Sequence, residues 1–147
     1  MSYESYDLVI TDSTMNFEFV SEGPKGFIKK RIRFQKVRGQ SFYNLALADF
    51  NEETGAFDAT IVSNNKDTEK VLATVAATIY IFTNKYPHLP VYLRGNSLAR
   101  KRLYRMGISN NLDEINKDFT IFGFLEDGNL EIYERNKDYW AFLIIKK

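Results

Sequence analysis

Cysteine is absent from the 147 residues, and histidine appears once, as His88. Without thiols there is no disulfide framework, no thiolate nucleophile and no thiolate metal site. A lone imidazole also excludes a multi-histidine metal cluster. Proline numbers three, and no repeat, low-complexity tract or Pro/Gly-rich linker marks an internal boundary. One domain over residues 1–147 is therefore expected. Long apolar runs are missing too. The longest charge-free stretch, 71–84, contains several threonines and falls short of a bilayer span. The start, MSYESYDLVITDSTMN, scatters acids and hydroxyls where a signal peptide has a basic start and an apolar run. Together with the missing cysteines this predicts a cytoplasmic protein without a membrane segment.

Large apolar side chains are plentiful. Twelve Phe and nine Tyr bring aromatics to 15%, which excludes a disordered chain and is enough to fill a core. Net charge is only +1, yet the charges come in blocks. Residues 25–38 carry seven cations and no acid, 49–58 four acids, 94–105 five cations, and 113–134 seven acids with Lys117. Such blocks either pair within the fold or leave a surface that concentrates anions.

Periodicity orders the elements. Phe17–Ser21 alternates as a strand, and Gly23-Pro24-Lys25-Gly26 turns the chain. In Phe27–Val37, Ile28, Ile32 and Phe34 share one face while Lys29, Arg31 and Arg33 share the other, a half-buried strand with a wet, basic side. Phe42–Phe50 and Ala56–Ser63 complete an antiparallel meander. Val71, Leu72, Val75, Ala76, Ile79, Phe82 and Tyr86 then recur at three and four, predicting a helix capped at Asn65 or Asp67 and ended before Pro87. Pro90–Arg94 suits an interior strand. Ser97 caps a second helix, Leu98–Met106, with Gly107 as its terminator, and 112–117 adds a short turn. Three strands close the chain. The predicted fold is α+β with a mostly antiparallel mixed sheet, in the order β-β-β-β-α-β-α-(α)-β-β-β.

The second helix holds the candidate site. On a wheel of about 100° per residue, Leu98, Ala99, Leu103 and Met106 span a stripe of roughly 140°, and Arg102 lies about 40° from Leu98, inside it. An inward cation needs a carboxylate, carbonyls or a bound anion. The predicted internal partner is an acid from 113–118; otherwise Arg102 reaches a pocket. Ahead of the helix, Gly95-Asn96-Ser97 leaves backbone N–H groups at the positive end of the helix dipole, flanked by Arg94 and Arg100. Guanidinium groups suit a two-point grip on phosphate or carboxylate. Arg94, Gly95, Asn96, Ser97, Arg100, Arg102 and Tyr104 are thus the candidate ligand-binding set, and capping alone is the competing account of Ser97.

Two family resemblances attach to these residues. Gly95, Ala99, Arg100, Arg102, Leu103, Tyr104 and Arg105 resemble the hallmark string of an uncharacterised family of small Bacteroidetes proteins, a domain of unknown function. That likeness implies no activity. The strand-helix-strand succession from Ala56 to Gly107, with Asn-x-x-Ala-x-x-x-Leu-Tyr-x-x-Gly, is similar to the second half of the GCN5-related N-acetyltransferase fold. The resemblance implies acetyl-CoA as cofactor and an N-acyltransferase activity, with Asn96 and Tyr104 at the catalytic positions and Tyr104 as general acid. The usual glycine-rich pyrophosphate loop is replaced by Asn64-Asn65-Lys66-Asp67-Thr68-Glu69, with no glycine and two acids.

Other chemistry is sparse. Asp49, Glu52, Glu53 and Asp58 surround a turn and read as a solvated hairpin end. His88 sits between prolines in a tight loop. Of Tyr139 and Trp140, at least one belongs in the core. Aromatics interleave with cations at Phe27, Phe34, Tyr92 and Tyr104, a pattern that also suits single-stranded nucleic acid. The leading expectation is a cofactor-free binding module, in which residues 94–105 hold an anionic small molecule or protein partner. An acyltransferase relative, nucleic-acid binding and charge-driven protein pairing are the alternatives.

Overall fold

The computed structural model describes residues 4–12, 15–61 and 63–147. In chain order these form β1 (Val9–Asp12), β2 (Asn16–Gly23), β3 (Gly26–Lys36), β4 (Tyr43–Asn51), β5 (Ala56–Asp58), α1 (Thr68–Lys85), β6 (Val91–Leu93), α2 (Leu98–Asn110), α3 (Leu112–Asp118), β7 (Phe119–Phe124), β8 (Leu130–Ile132) and β9 (Ala141–Lys146). The α+β class and the predicted order hold, with β1 added at the start. The fourth predicted strand is shorter than expected: pairing stops at Asp58, where the Asp58 carboxylate accepts the Thr60 N–H and hydroxyl and turns the chain. Val62, inside that predicted strand, lies outside the described residues.

One sheet runs β1-β2-β3-β4-β6-β9-β7-β8, with β5 on the free part of β4. All pairings are antiparallel except β4 with β6, which is parallel and lasts only from Tyr43–Val91 to Leu45–Leu93. Beyond it the two strands part. β4 continues to Asn51, while β6 gives way to α2.

The side-chain alternation of β3 sets the layers. Lys30, Ile32 and Phe34 are buried on one side, and Lys29, Arg31 and Arg33 stand on the other. Phe34 stacks on Phe82 of α1 at 4.3 Å between ring centroids. Burying a ring of that size contributes roughly 2–3 kcal/mol. Leu45, Leu93, Ile121 and Ile144 share this inner side with Val75, Ile79, Tyr104 and Ile108 of the helices. All three helices thus cover one face of the sheet.

Inside α1, Thr74, Thr78 and Thr83 are fully buried, and each hydroxyl donates back to a carbonyl three or four residues earlier. Tyr80 of α1 ties down α3 by donating its hydroxyl to Asp118 at 2.6 Å. Burial, then the Asp118 carboxylate, push the phenol up to about 12 from 10.0. A raised folded value means that this contribution is complete below pH 10 and is lost as pH climbs through about 12. The melting-temperature gap between wild type and Tyr80→Phe is therefore expected to close over that window. A gap that stays constant would show that the phenol of Tyr80 is not held above its ordinary value in the folded protein.

Candidate functional site

Helix α2 is rotated from its predicted orientation. Its buried residues are Arg100, Tyr104, Gly107 and Ile108, whereas Leu98 and Met106 are exposed at 64% and 40%. Arg102, expected inside, is exposed, and among the described residues it has no ion pair with 113–118 or any other acid. The correction has a physical origin. Gly107 does not end the helix; it sits against α1, where an added Cβ would come within 3.0 Å of Leu72. Three further residues follow it in the helix. With Ile108 included, the packing face reads Arg100, Tyr104, Gly107, Ile108, the i, i+4, i+7, i+8 series of a helix laid on a core.

Arg100 is the inward cation, 2% exposed. Its Nη2 donates to the Ile61 carbonyl and lies 4.0 Å from Asp49. Asp49 also receives Lys30 Nζ at 2.6 Å, and Lys30 reaches Ser63 Oγ at 3.0 Å. Asp49 is 1% exposed, so it does not belong to the solvated hairpin end as predicted, although Glu52 and Glu53 do. The group fills the opening where β4 leaves β6. A cavity of about 90 Å³ borders it, lined by Lys30, Ser63, Asn65, Asp67 and Arg100 among others. Asp49 Oδ2 and Arg100 Nε are buried there without a hydrogen-bond partner. A space of that size accommodates about three waters, and Arg100 is among the residues that line it.

The N-terminus of α1 adjoins the same cavity. Asp67 is the N-cap but makes no cap hydrogen bond; its Oδ2 accepts the hydroxyls of Ser21 and Tyr6. Burial first, then Asp67, hold the Tyr6 phenol above its ordinary value. With Lys30 and Arg100 set against Asp49 and Asp67, the side-chain charges around the cavity cancel. It is a polar junction in which, among the described residues, Lys30 and Arg100 are paired with Asp49.

The predicted ligand set is thus dispersed. Ser97 Oγ accepts the Arg100 N–H at 3.2 Å and is the helix cap. Asn96 is exposed and Tyr104 buried, so the two candidate catalytic residues occupy opposite environments. Burial raises the Tyr104 phenol, against the opposing pull of Arg100 and the Leu47 backbone. Gly95 is filled by its own chain: an added Cβ would stand 2.3 Å from Lys101 N. Lys101 and Arg105 both approach Asp138, at 3.4 and 3.5 Å. Arg94 is exposed and places its guanidinium 5.1 Å above the Trp140 ring.

That last contact leads to the face of the sheet opposite the helices. Rings form a lane across it: Phe42 to Tyr92 at 5.1 Å, Tyr92 to Phe124 at 5.6 Å and Phe124 to Trp140 at 5.4 Å, each half-buried. On the meander side of the same face, the paired rows Asn16–Arg33, Glu18–Arg31 and Val20–Lys29 set three cations against one carboxylate. Lys29 takes that carboxylate at 3.2 Å. Arg33 Nε donates to Asn16 at 2.9 Å, and Arg31 lies 4.4 Å over the Phe57 ring with its Nε unpartnered. Burial, then the Arg33 charge, lower the Arg31 pKa against the opposing pull of Glu18. Two guanidinium groups are therefore held side by side on aromatic and amide supports, with no acid of their own among the described residues.

Sequence reasoning identified this basic side of β3 but kept it out of the site; the ring lane was missed. Of the aromatics offered for stacking, Tyr92 is in the lane, Phe27 is exposed at 77%, and Phe34 and Tyr104 are core. Phe124 and Trp140 carried only the alternation of their strands as a signal. Tyr139 is fully buried, as expected for one of the Tyr139-Trp140 pair. His88 is exposed. Among the described residues no three acidic or imidazole groups are grouped to hold a metal, and no helix is long and apolar enough to cross a membrane.

Helices on one face of a mixed sheet, and rings with arginines on the other, define a two-layer α+β domain with one sheet face free of helices. The chain belongs to the family of unknown function DUF6934, matched over residues 2–147. No curated protein and no solved structure matches it.

Proposed function

We propose that the protein is a binding module for a polyanion and that the ligand lies on the helix-free face of the sheet. The observation that carries this is the Arg31–Arg33 pair, fixed on Phe57 and Asn16 while the one facing carboxylate, Glu18, goes to Lys29. Cations already held in place lose little side-chain freedom when they bind, and the single carboxylate in the facing rows, Glu18, offsets only part of the charge of Lys29, Arg31 and Arg33. The outward residues of β4, β6, β9, β7 and β8 add no acid, and Arg94 adds a further cation at the end of the lane. The anionic-partner reading of residues 94–105 thereby passes from the helix to the sheet, and of its arginines only Arg94 takes part.

Elution from a heparin column and calorimetry with polyphosphate test the proposal. Arg31→Gln with Arg33→Gln is expected to weaken binding about 10-fold, on the order of 1.4 kcal/mol, with elution at lower salt. Arg102→Gln with Arg105→Gln, on the outer side of α2, is expected to change neither. If the helix pair matters and the strand pair does not, the site is on α2. If neither pair matters, or the wild type passes through the column unretained, the proposal fails.

A further inference from the structure

We infer that the polyanion is a single-stranded nucleic acid, with its bases stacked on the Tyr92–Phe124–Trp140 lane and its phosphates on Arg31, Arg33 and Arg94. The inference rests on the polyanion reading and assigns its chemical class. A polyanion bound by charge alone, such as an acidic peptide, has no use for ring faces. Here charge and rings divide the face between them. The unmatched cations stand on β3, and the aromatic lane crosses β6 and β7. Between the two lies β4, whose outward residues opposite Arg33 and Arg31 are Ala46 and Ala48. Ala46 leaves a low floor beside Arg33, whereas Ala48 is buried where Arg31 crosses to Phe57 of β5, and β3 and β6 are two strand spacings apart, about 10 Å. A strand laid along that floor has its phosphate edge toward the arginines and its base edge toward the rings. In a duplex the bases are already stacked on one another and do not reach the lane.

The rings of the lane are half-buried and meet tilted or edge-on, with interplanar angles of 31°, 81° and 48°, so no two of these neighbours are stacked face to face. Trp140 is further anchored by Nε1 donating to the Leu125 carbonyl at 2.6 Å. A rigid ring of this kind stacks on any base, so binding should tolerate sequence changes.

The test uses the full chain with fluorescein-labelled oligothymidylate and oligouridylate, an unlabelled duplex of equal length as competitor, and labelled poly-L-glutamate. Phe124→Leu and Tyr92→Leu keep apolar volume but remove a ring, and each is expected to raise the Kd for the single strands roughly 5- to 150-fold. Tyr92→Phe restores the ring and with it the affinity, which separates stacking from misfolding. Arg31→Gln with Arg33→Gln should flatten the salt dependence of binding, with the slope falling by about 1.4 for two lost phosphate contacts. The duplex should compete poorly. Poly-L-glutamate bound as tightly as the oligonucleotides, with the ring variants neutral, would overturn this inference and leave the polyanion reading standing. Failure to bind any polyanion removes both. A dimer in solution that becomes a monomer in the ring variants would show instead that a second copy covers the lane.

Discussion

Asp49→Asn is expected to lower the melting temperature by about 10 °C, since breaking a buried ion pair by removing one partner costs about 3–5 kcal/mol and 1 kcal/mol moves a domain of this size by roughly 2–4 °C. The side chain is nearly isosteric, so no cavity arises and packing is kept. What disappears is the carboxylate that, among the described residues, pairs with both Lys30 and Arg100, each at least 95% buried. The Lys30 ammonium and the Arg100 guanidinium then share a space with the Ser63 hydroxyl and the Ile61 carbonyl as acceptors. Lys30→Met in the Asp49→Asn background removes one stranded cation and should recover a large part of the loss. If the double variant melts below the single one, Lys30 is not held by Asp49 in the way the geometry indicates. Thermal melts followed by circular dichroism decide the matter.

Gly95→Ala is the second large effect, on the order of 2–3 kcal/mol. A Cβ at this position would stand 2.3 Å from the Lys101 backbone nitrogen, 2.6 Å from its Cα and 2.8 Å from the Arg100 carbonyl carbon. None of these atoms can swing aside as the end of a flexible side chain does. The first turn of α2 has to move, and Arg100 moves with it, so part of the Asp49 cluster is disturbed as well. The expected signature is a lower melting temperature with heparin retention unchanged, because the helix-free face lies on the other side of the sheet. Loss of retention at unchanged stability would return Gly95 to the role of a ligand contact.

The fold was largely legible in the sequence because strand and helix periods write themselves into 27–37, 71–86 and the closing strands. What escaped was whatever depends on one element choosing a partner. β1 has two exposed apolar residues, Val9 and Ile10, and gives no alternation. The orientation of α2 was misjudged because the wheel favoured leucine and methionine for the inside, while the helix packs through a glycine and buries an arginine. Only Asp49, 51 residues away, makes Arg100 the better choice, and no local pattern reports that distance. Lys30 shows the same limit: it lies in the inward register of β3 beside Ile28 and Ile32, in plain view, yet its carboxylate is on the next strand. The basic outer side of β3 needed no partner to be seen, and so it was.

The short parallel pairing of β4 with β6 divides the sheet mechanically. Strands β1 to β5 form one half, β6 to β9 the other, and among the described residues three residue pairs, with the Tyr43 N–H donating to the Pro90 carbonyl beside them, make the main-chain seam. Side chains of α1 and α2 clamp the seam from the helical side, and on the bare side the Phe42–Tyr92 ring contact crosses it. A ligand reaching from the β3 arginines to the Tyr92–Phe124 rings would staple the halves together from that side. Occupancy would then be felt as resistance of the seam to opening, through mass action on the closed state.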